Sequence, residues 1–378
     1  MAQRLKTDWI LFFTIVAMVC FGLVIVYSAS SVMAELKYKW DMYFIARQIG
    51  WASVSFLVLM QLKRLDYRRF DNPVWAFAPL GVVTSLLVLV YFIGFKHRWL
   101  QAGPFSLQPS EFAKPALIIF LAYFISLRLR AINDKHTIRP ALLALGALAL
   151  MIVGPDLGTA IMLVLTGAVL FYVAGLDRRY VLFAGVAGVL LIAVAVVAKP
   201  YRLARVVAQF DPEFKIIDKL NPGGQIRSYA KRSQSATDPT YQPKQSRIAV
   251  GSGGVLGVGL MQGKQKLLYL PEAHTDYIYA VVGEELGMWG TGGLLIGFFI
   301  ILWRGLRLFY VAPDNFGRYL ALGVTVSIVI QALFNISVVL DVGPTKGIPL
   351  PMISYGGSSL LSTLISLGLL LSVSEHAG

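Results

Sequence analysis

The stretch WILFFTIVAMVCFGLVIVY, residues 9–27, decides the fold. It runs for 19 residues with two hydroxyls, Thr14 and the terminal Tyr27, and no charge. As a helix rising about 1.5 Å per residue, such a run crosses most of a hydrocarbon layer about 30 Å thick. Arg4 and Lys6 precede it and Ser28-Ala29-Ser30 follows, an arrangement that imitates a secretory signal and its cleavage site. The run is too long for that, because the apolar core of a signal peptide is roughly 7–15 residues. It reads as a first transmembrane helix that is retained.

The same pattern recurs along the chain. Apolar windows of membrane-spanning length fall near 9–29, 43–62, 74–95, 111–127, 138–153, 157–174, 178–198, 280–303, 317–340 and 350–373. Only Gly154-Pro155-Asp156 separates the fifth from the sixth. The expected fold is an all-α polytopic membrane protein with about ten transmembrane helices. It divides into helices one to seven (1–198), a long extracytoplasmic loop (199–276) and helices eight to ten (277–378).

Composition agrees. Of 378 residues, 57% are apolar and 14% charged. An ordinary soluble domain carries about 25% charge, so a soluble enzyme, a disordered chain and a coiled coil are excluded. The net charge of +14 resembles a nucleic-acid signal, but its placement argues against one. Lys63, Arg64, Arg68 and Arg69, then Arg128, Arg130, Lys135 and Arg139, then Arg304 and Arg307 all fall in alternate connections between apolar runs, on one side of the membrane. The intervening short loops are poorer in Lys and Arg, which puts both termini in the cytoplasm. Cys20 is the one cysteine, so neither an internal disulfide nor a cysteine-based metal site is available.

The loop 199–276 is too long for its charge to bear on topology. Its first part, 213–240, is polar, whereas 241–276 is Gly-rich and patterned up to the eighth span. Gly251-Ser-Gly-Gly254 lacks the last glycine of a dinucleotide fingerprint, since Leu256 stands there, and Gly263-Lys264 lacks the upstream glycine of a P-loop. No motif for nucleotide hydrolysis is present, so the driving force must come from a substrate bond or an ion gradient.

Three constellations carry ionisable groups to the membrane boundary, where charge is costly and tends to line a cavity. In the first, Trp99 to Lys114, Pro109 suits a helix start and Glu111 and Lys114 share a face. They read either as a cap with a snorkelling lysine or as a buried pair orienting a polar cavity. In the second, Glu272, His274 and Asp276 cluster where the loop enters the membrane, with Glu284 and Glu285 following. A helix over 276–285 separates Asp276 from Glu284 by about 12 Å, which points to a single acting carboxylate rather than a dyad. Asp276 is otherwise a helix cap. In the third, 343–359, prolines and glycines resist a regular helix, and backbone N–H groups with Lys346 can face an anionic head group. Arg202 and Arg205 follow the seventh span as interfacial anchors or as a phosphate fork.

These residues resemble the SEDS proteins, the FtsW/RodA/SpoVE family of bacterial cell-wall polymerases, over nearly the whole chain. The resemblance is carried by YSAS at 27–30, RWL at 98–100, LQPSEFAK at 107–114 and PDLGTA at 155–160. It continues through Arg202, Arg205 and Phe210-Asp-Pro212, GSGG at 251–254, LPEAHTD at 270–276 and GIPLPMISYGGSS at 347–359. LPEAHTD and Pro344-Thr-Lys-Gly347 look more like the division-type than the elongation-type member, and Gly154 departs from the family's Gln or Glu.

The resemblance implies a peptidoglycan glycosyltransferase that polymerises lipid II at the outer face of the bacterial cytoplasmic membrane. It implies undecaprenyl-pyrophosphate-linked glycan as donor, a class B penicillin-binding protein and other divisome proteins as partners, and the division septum as the place of work. It maps the catalytic carboxylate onto Asp276. It assigns substrate binding to Trp99, Glu111, Lys114, Arg202, Arg205, His274, Lys346, Ser354, Gly356, Gly357 and Ser358. No cofactor, metal ligand set or nucleic acid is expected, while a divalent cation such as Mg²⁺ is left open. The competing readings are a lipid II flippase, which lacks the internal repeat common in transporters, and an elongation-type polymerase.

Overall fold

A computed structural model describes residues 7–95, 98–102, 105–197, 241–267, 269–343 and 347–376. Ten long helices fall on the ten expected spans. They are α1 (Trp9–Tyr38), α2 (Tyr43–Arg64), α3 (Pro73–Ile93), α4 (Pro109–Arg128), α5 (Lys135–Val153), α6 (Leu157–Val173) and α7 (Arg178–Val197). After α8 (Tyr241–Gly253) come α9 (Ile278–Val311), α10 (Asn315–Val339) and α11 (Gly357–His376). Among the described residues, eight of them are long and apolar enough to cross a membrane by length and composition. Leu157–Val173 is apolar but shorter, and Gly154-Pro155-Asp156 does separate it from α5. A small antiparallel hairpin, β1 (Leu100–Ala102) and β2 (Phe105–Leu107), leads into α4.

Three boundaries differ most from the sequence expectation, one of them the end of α9, which runs to Val311 rather than near 303. The first helix continues to Tyr38, since nothing in Ser28-Ala-Ser-Ser31 breaks a helix whose serines are buried. The last helix starts at Gly357 rather than near 350, because Pro349 and Pro351 remove donors and restrict the residues before them. The second half of the long connection is also structured. Helix α8 packs on α9 and α10, with Ala249 fully buried and the Ser246 hydroxyl donating to the Val339 carbonyl at 2.7 Å.

Local chemistry fixes the helix starts. Asp8, Asn72, Asp134, Asp156 and Asp314 each accept a backbone N–H in the first turn of the helix that follows. Helices α4, α10 and α11 form the interior, with 67%, 67% and 78% of their apolar windows buried, whereas α3 at 22% is peripheral. In hydrocarbon no hydrophobic force drives helices together, so close approach at small residues does. Gly22 lies against the main chain of Met352 and Ile353, Gly305 against Thr325, and Gly323 against Ile118.

At one end of the bundle the two chain ends meet. Asp8 N–H donates to Ser374 at 3.1 Å, Thr7 to Glu375 at 2.7 Å, and Glu375 also pairs with Lys63 at 3.1 Å. Asp8 accepts from Arg304 at 2.6 Å, tying α1 to α9. Both described ends therefore lie on one side, as the Lys and Arg distribution requires.

Helix α9 breaks at Gly287, whose φ of 61° is open to glycine. The break frees the carbonyls of Glu284 and Glu285, and the loop after α8 takes them. Val258 N–H donates to Glu284 at 3.0 Å, Gly259 N–H to Glu285 at 2.9 Å, and Met288 N–H to Gly254 at 3.1 Å. Irregular backbone inside a membrane protein is tolerated only when so paired.

The Gly305–Thr325 approach sets the spacing of α9 and α10. Gly305→Val should lower the thermal midpoint of the detergent-solubilised protein, an overpacking cost of about 1–3 kcal/mol. Gly292→Ala, where an added methyl meets nothing within 4 Å, should not. Equal midpoints for the two variants would contradict this packing.

Candidate functional site

Asp276 lies one residue before the buried Tyr277, which precedes the first turn of α9, and its side chain is half-buried. The residues before it form a tight turn closed by the Glu272 carbonyl, which accepts from Thr275 at 3.1 Å and Asp276 at 3.2 Å. Glu272 sits at φ 56°. The carboxylate of Asp276 packs against Gly347, and any Cβ at 347 would overlap it. A glycine is required there by close approach, not by dihedral freedom.

The segment 347–356 forms the wall beside that carboxylate. It is extended and then turns, so its peptide groups need partners from elsewhere. Asn335 of α10 donates to the carbonyls of both Asp276 (2.8 Å) and Ile348 (2.7 Å). Gln331, one turn earlier, donates to Pro349 at 2.8 Å. Ser354 accepts from Leu350 N–H at 2.8 Å and donates to the Thr275 carbonyl at 2.5 Å. Tyr355 N–H donates to the His274 carbonyl at 2.9 Å, and Gly356 N–H to Gln48 of α2 at 3.2 Å.

Glu111 and Lys114 form an ion pair at 2.7 Å, and both side chains are almost wholly enclosed. Lys114 also donates to Gln331 at 2.7 Å. The snorkelling alternative is excluded, because the ammonium points into the bundle. The two charges face each other and Gln331, and Gln331 in turn reaches the Pro349 carbonyl of the wall.

Trp99 is half-buried and precedes the hairpin, with main-chain bonds to Phe95 and Arg98 stacked over its ring at 5.8 Å. Asp156 holds both ends of this unit. It pairs with Arg98 at 3.0 Å and accepts from Gln108 at 3.0 Å. Ser358, at the start of α11, accepts from Gln108 N–H at 3.1 Å and donates to Ser106 at 3.2 Å. The Trp99 unit, the 347–359 segment and the Asp276 turn are thus stitched into one end of the bundle.

His274 is buried, its ring 4.8 Å from that of Phe44 and 5.6 Å from that of Tyr355. Burial holds the imidazole below its ordinary value; Glu272 pulls it up and Lys37 pushes it down. The Ser354 hydroxyl, the Gly356 N–H and the Ser358 hydroxyl bond to neighbouring segments, and His274 does so through its main-chain carbonyl. Gly357 admits the Trp51 ring, which a Cβ would displace. Arg202, Arg205 and Lys346 lie outside the described residues.

Glu284 and Glu285 are absorbed in structure. Glu284 accepts from Lys264 N–H at 2.7 Å. Glu285, wholly buried, takes Lys266 at 2.6 Å and Ser28 at 2.7 Å. Asp276, half-buried, is the carboxylate of this constellation that packs against Gly347. Among the described residues no group of three His, Cys, Asp or Glu is placed to hold a metal ion.

Sequence reasoning missed Gln48, Gln331 and Asn335, and gave Asp156 no role beyond its motif. The signal was present: Gln331 and Asn335 are polar residues at i,i+4 inside an apolar span. A search restricted to ionisable groups passes over them.

The chain matches the FtsW/RodA/SpoVE model, described as cell cycle protein, over residues 8–378. It is 39% identical to a probable peptidoglycan glycosyltransferase FtsW of Trichlorobacter lovleyi, covering 97% of this chain and 93% of that one. It is 36% identical to stage V sporulation protein E of Bacillus subtilis over 99% of each. Among solved structures, a chain from a peptidoglycan synthase complex is similar at TM-score 0.72, with 28% identity and 98% of each chain covered. The rod shape determining protein RodA of Thermus thermophilus is similar at TM-score 0.66, with 25% identity and 99% of each covered. With a full-length family match, relatives above one-third identity and the same helical architecture, the chain is a multi-pass membrane protein that belongs to the FtsW/RodA/SpoVE family.

Proposed function

We propose that this protein is a peptidoglycan glycosyltransferase that polymerises lipid II at the outer face of the bacterial cytoplasmic membrane, in septal wall synthesis. A class B penicillin-binding protein is its cross-linking partner. The observation that carries the reading is the placement of Asp276: a half-buried carboxylate on a braced turn, seated against Gly347 where the 270–276 and 347–359 motifs meet.

The growing glycan is the donor, held through its anomeric carbon to undecaprenyl pyrophosphate. The acceptor is the 4-hydroxyl of GlcNAc in lipid II. Asp276 takes the hydroxyl proton as the oxygen attacks the anomeric carbon. The bond to pyrophosphate breaks with its electron pair, and the lipid pyrophosphate leaves. Displacement from the opposite face inverts the centre and gives a β-1,4 link. The broken phosphoester-type bond supplies the driving force, in keeping with a sequence that lacks a nucleotide motif. Arg202 and Arg205 are the candidates to take up charge on the leaving group. Trp99, held by the Arg98–Asp156 pair, offers an apolar face at the same end of the bundle.

Three outcomes are expected. Asp276→Asn should lower lipid II polymerisation in detergent by about 10²–10⁴-fold while leaving folding intact. Detergent offers no compartments, so transport is not read, and wild-type activity in this variant would remove the mechanism. Gly347→Ala should push the carboxylate aside and reduce kcat, since a misplacement of about 1 Å can cost on the order of 100-fold; an unaltered kcat would mean that the contact is dispensable.

The third concerns pH. The folded protein holds His274 below its ordinary value, so its contribution to stability is present above about 6.5 and is lost as pH falls from there. The thermal midpoint should fall as pH is lowered below 6.5, and His274→Phe should remove that part of the fall. Parallel curves for the two proteins would discount the histidine.

A further inference from the structure

Asn335 makes two hydrogen bonds that few side chains can make together. Both amide hydrogens go to main-chain carbonyls on different segments, Asp276 at 2.8 Å and Ile348 at 2.7 Å. The orientation of the amide is thereby fixed, because a flipped group would set oxygen against two carbonyl oxygens. Asn335 is 1% exposed, and among the described residues its side-chain oxygen has no hydrogen-bond partner. Leaving a buried acceptor unsatisfied is destabilising. The site tolerates that cost, which a residue serving only helix packing has no reason to carry.

The two segments it joins are those that define the position of the Asp276 carboxylate. One is the turn that bears it. The other begins with Gly347, whose Cα surface the carboxylate touches. Gln331 adds a second rung one turn along the same face of α10. It links Pro349 at 2.8 Å to Lys114 at 2.7 Å, and through Lys114 to Glu111. Helix α10 is among the most buried elements, so the clamp stands on a rigid base.

We infer that Asn335 is a positioning residue for Asp276, clamping the catalytic turn to the 347–350 wall, with Gln331 transmitting the Glu111–Lys114 pair to the same wall. The inference rests on the reading of Asp276 as the general base. It assigns Glu111 and Lys114 an indirect part: they set where the wall lies.

The test uses the purified full-length protein with lipid II in detergent, measuring kcat and KM separately. Asn335→Leu keeps the volume and removes both donors. It should reduce kcat about tenfold or more, as a displaced base does, with KM for lipid II changed by less than about threefold. Gln331→Ala removes the second rung and should give a smaller kcat loss of the same kind. Ser246→Ala is the control. It deletes an equally buried bond to the Val339 carbonyl at the end of the same helix, and should leave kcat unchanged.

A folded Asn335→Leu protein with wild-type kcat overturns the inference, as does a loss carried by KM or one that Ser246→Ala reproduces. If Asn335→Leu does not fold, Gln331→Ala decides by the same criteria. Asp276→Asn is run alongside. Should it stay active, the general-base reading fails. Should it be inactive while the clamp variants are at full rate, the clamp alone fails.

Discussion

A peptide group without a partner costs several kcal/mol in hydrocarbon, and this requirement organises the functional end of the molecule. Regular helices satisfy their own backbone. The segment 347–356, the break at Gly287 and the loop after α8 do not. Each must borrow donors and acceptors, and the lenders are the polar side chains that otherwise look out of place in a lipid environment. Gln48, Gln331, Asn335 and Ser354 serve the first segment, and the α9 carbonyls freed at Gly287 serve the loop.

One consequence is that the sequence motifs are tied to one another more than they are turned outward. Asp156 grips the unit that carries Trp99, Ser358 joins that unit to α11, and Ser354 joins the 347–356 segment to the Asp276 turn. A site that must hold a sugar hydroxyl and a phosphorylated lipid in register gains from such bracing, because catalytic geometry tolerates little slack. The buried pairs Glu111–Lys114 and Lys266–Glu285 belong to the same scheme. Each neutralises charge that would be costly alone and fixes an irregular stretch of chain.

The membrane fold was legible because its signal is local. An apolar run such as 9–27 has one stable solution in lipid, and Lys and Arg placement orients it. Asp276 also stood out, since a carboxylate at that boundary needs a reason. What composition and spacing left open was the use of each polar group. His274, Ser354 and Ser358 look like ligand contacts as letters in a motif, yet their partners are His274–Tyr355, Ser354–Thr275 and Ser358–Gln108. Those partners lie up to hundreds of positions away, and no local rule names them.

By itself the sequence determined the helical membrane architecture, and it left the carboxylate at 276 open between a helix cap and an acting group. The tertiary structure alone decided that Glu111 and Lys114 turn inward to Gln331, that Gly347 is the wall of Asp276, and that Asn335 joins the two segments. The reason is physical. Helix formation in lipid is governed by nearest neighbours along the chain, whereas pairing of irregular backbone is settled only by what the folded bundle places within about 3 Å of each peptide group.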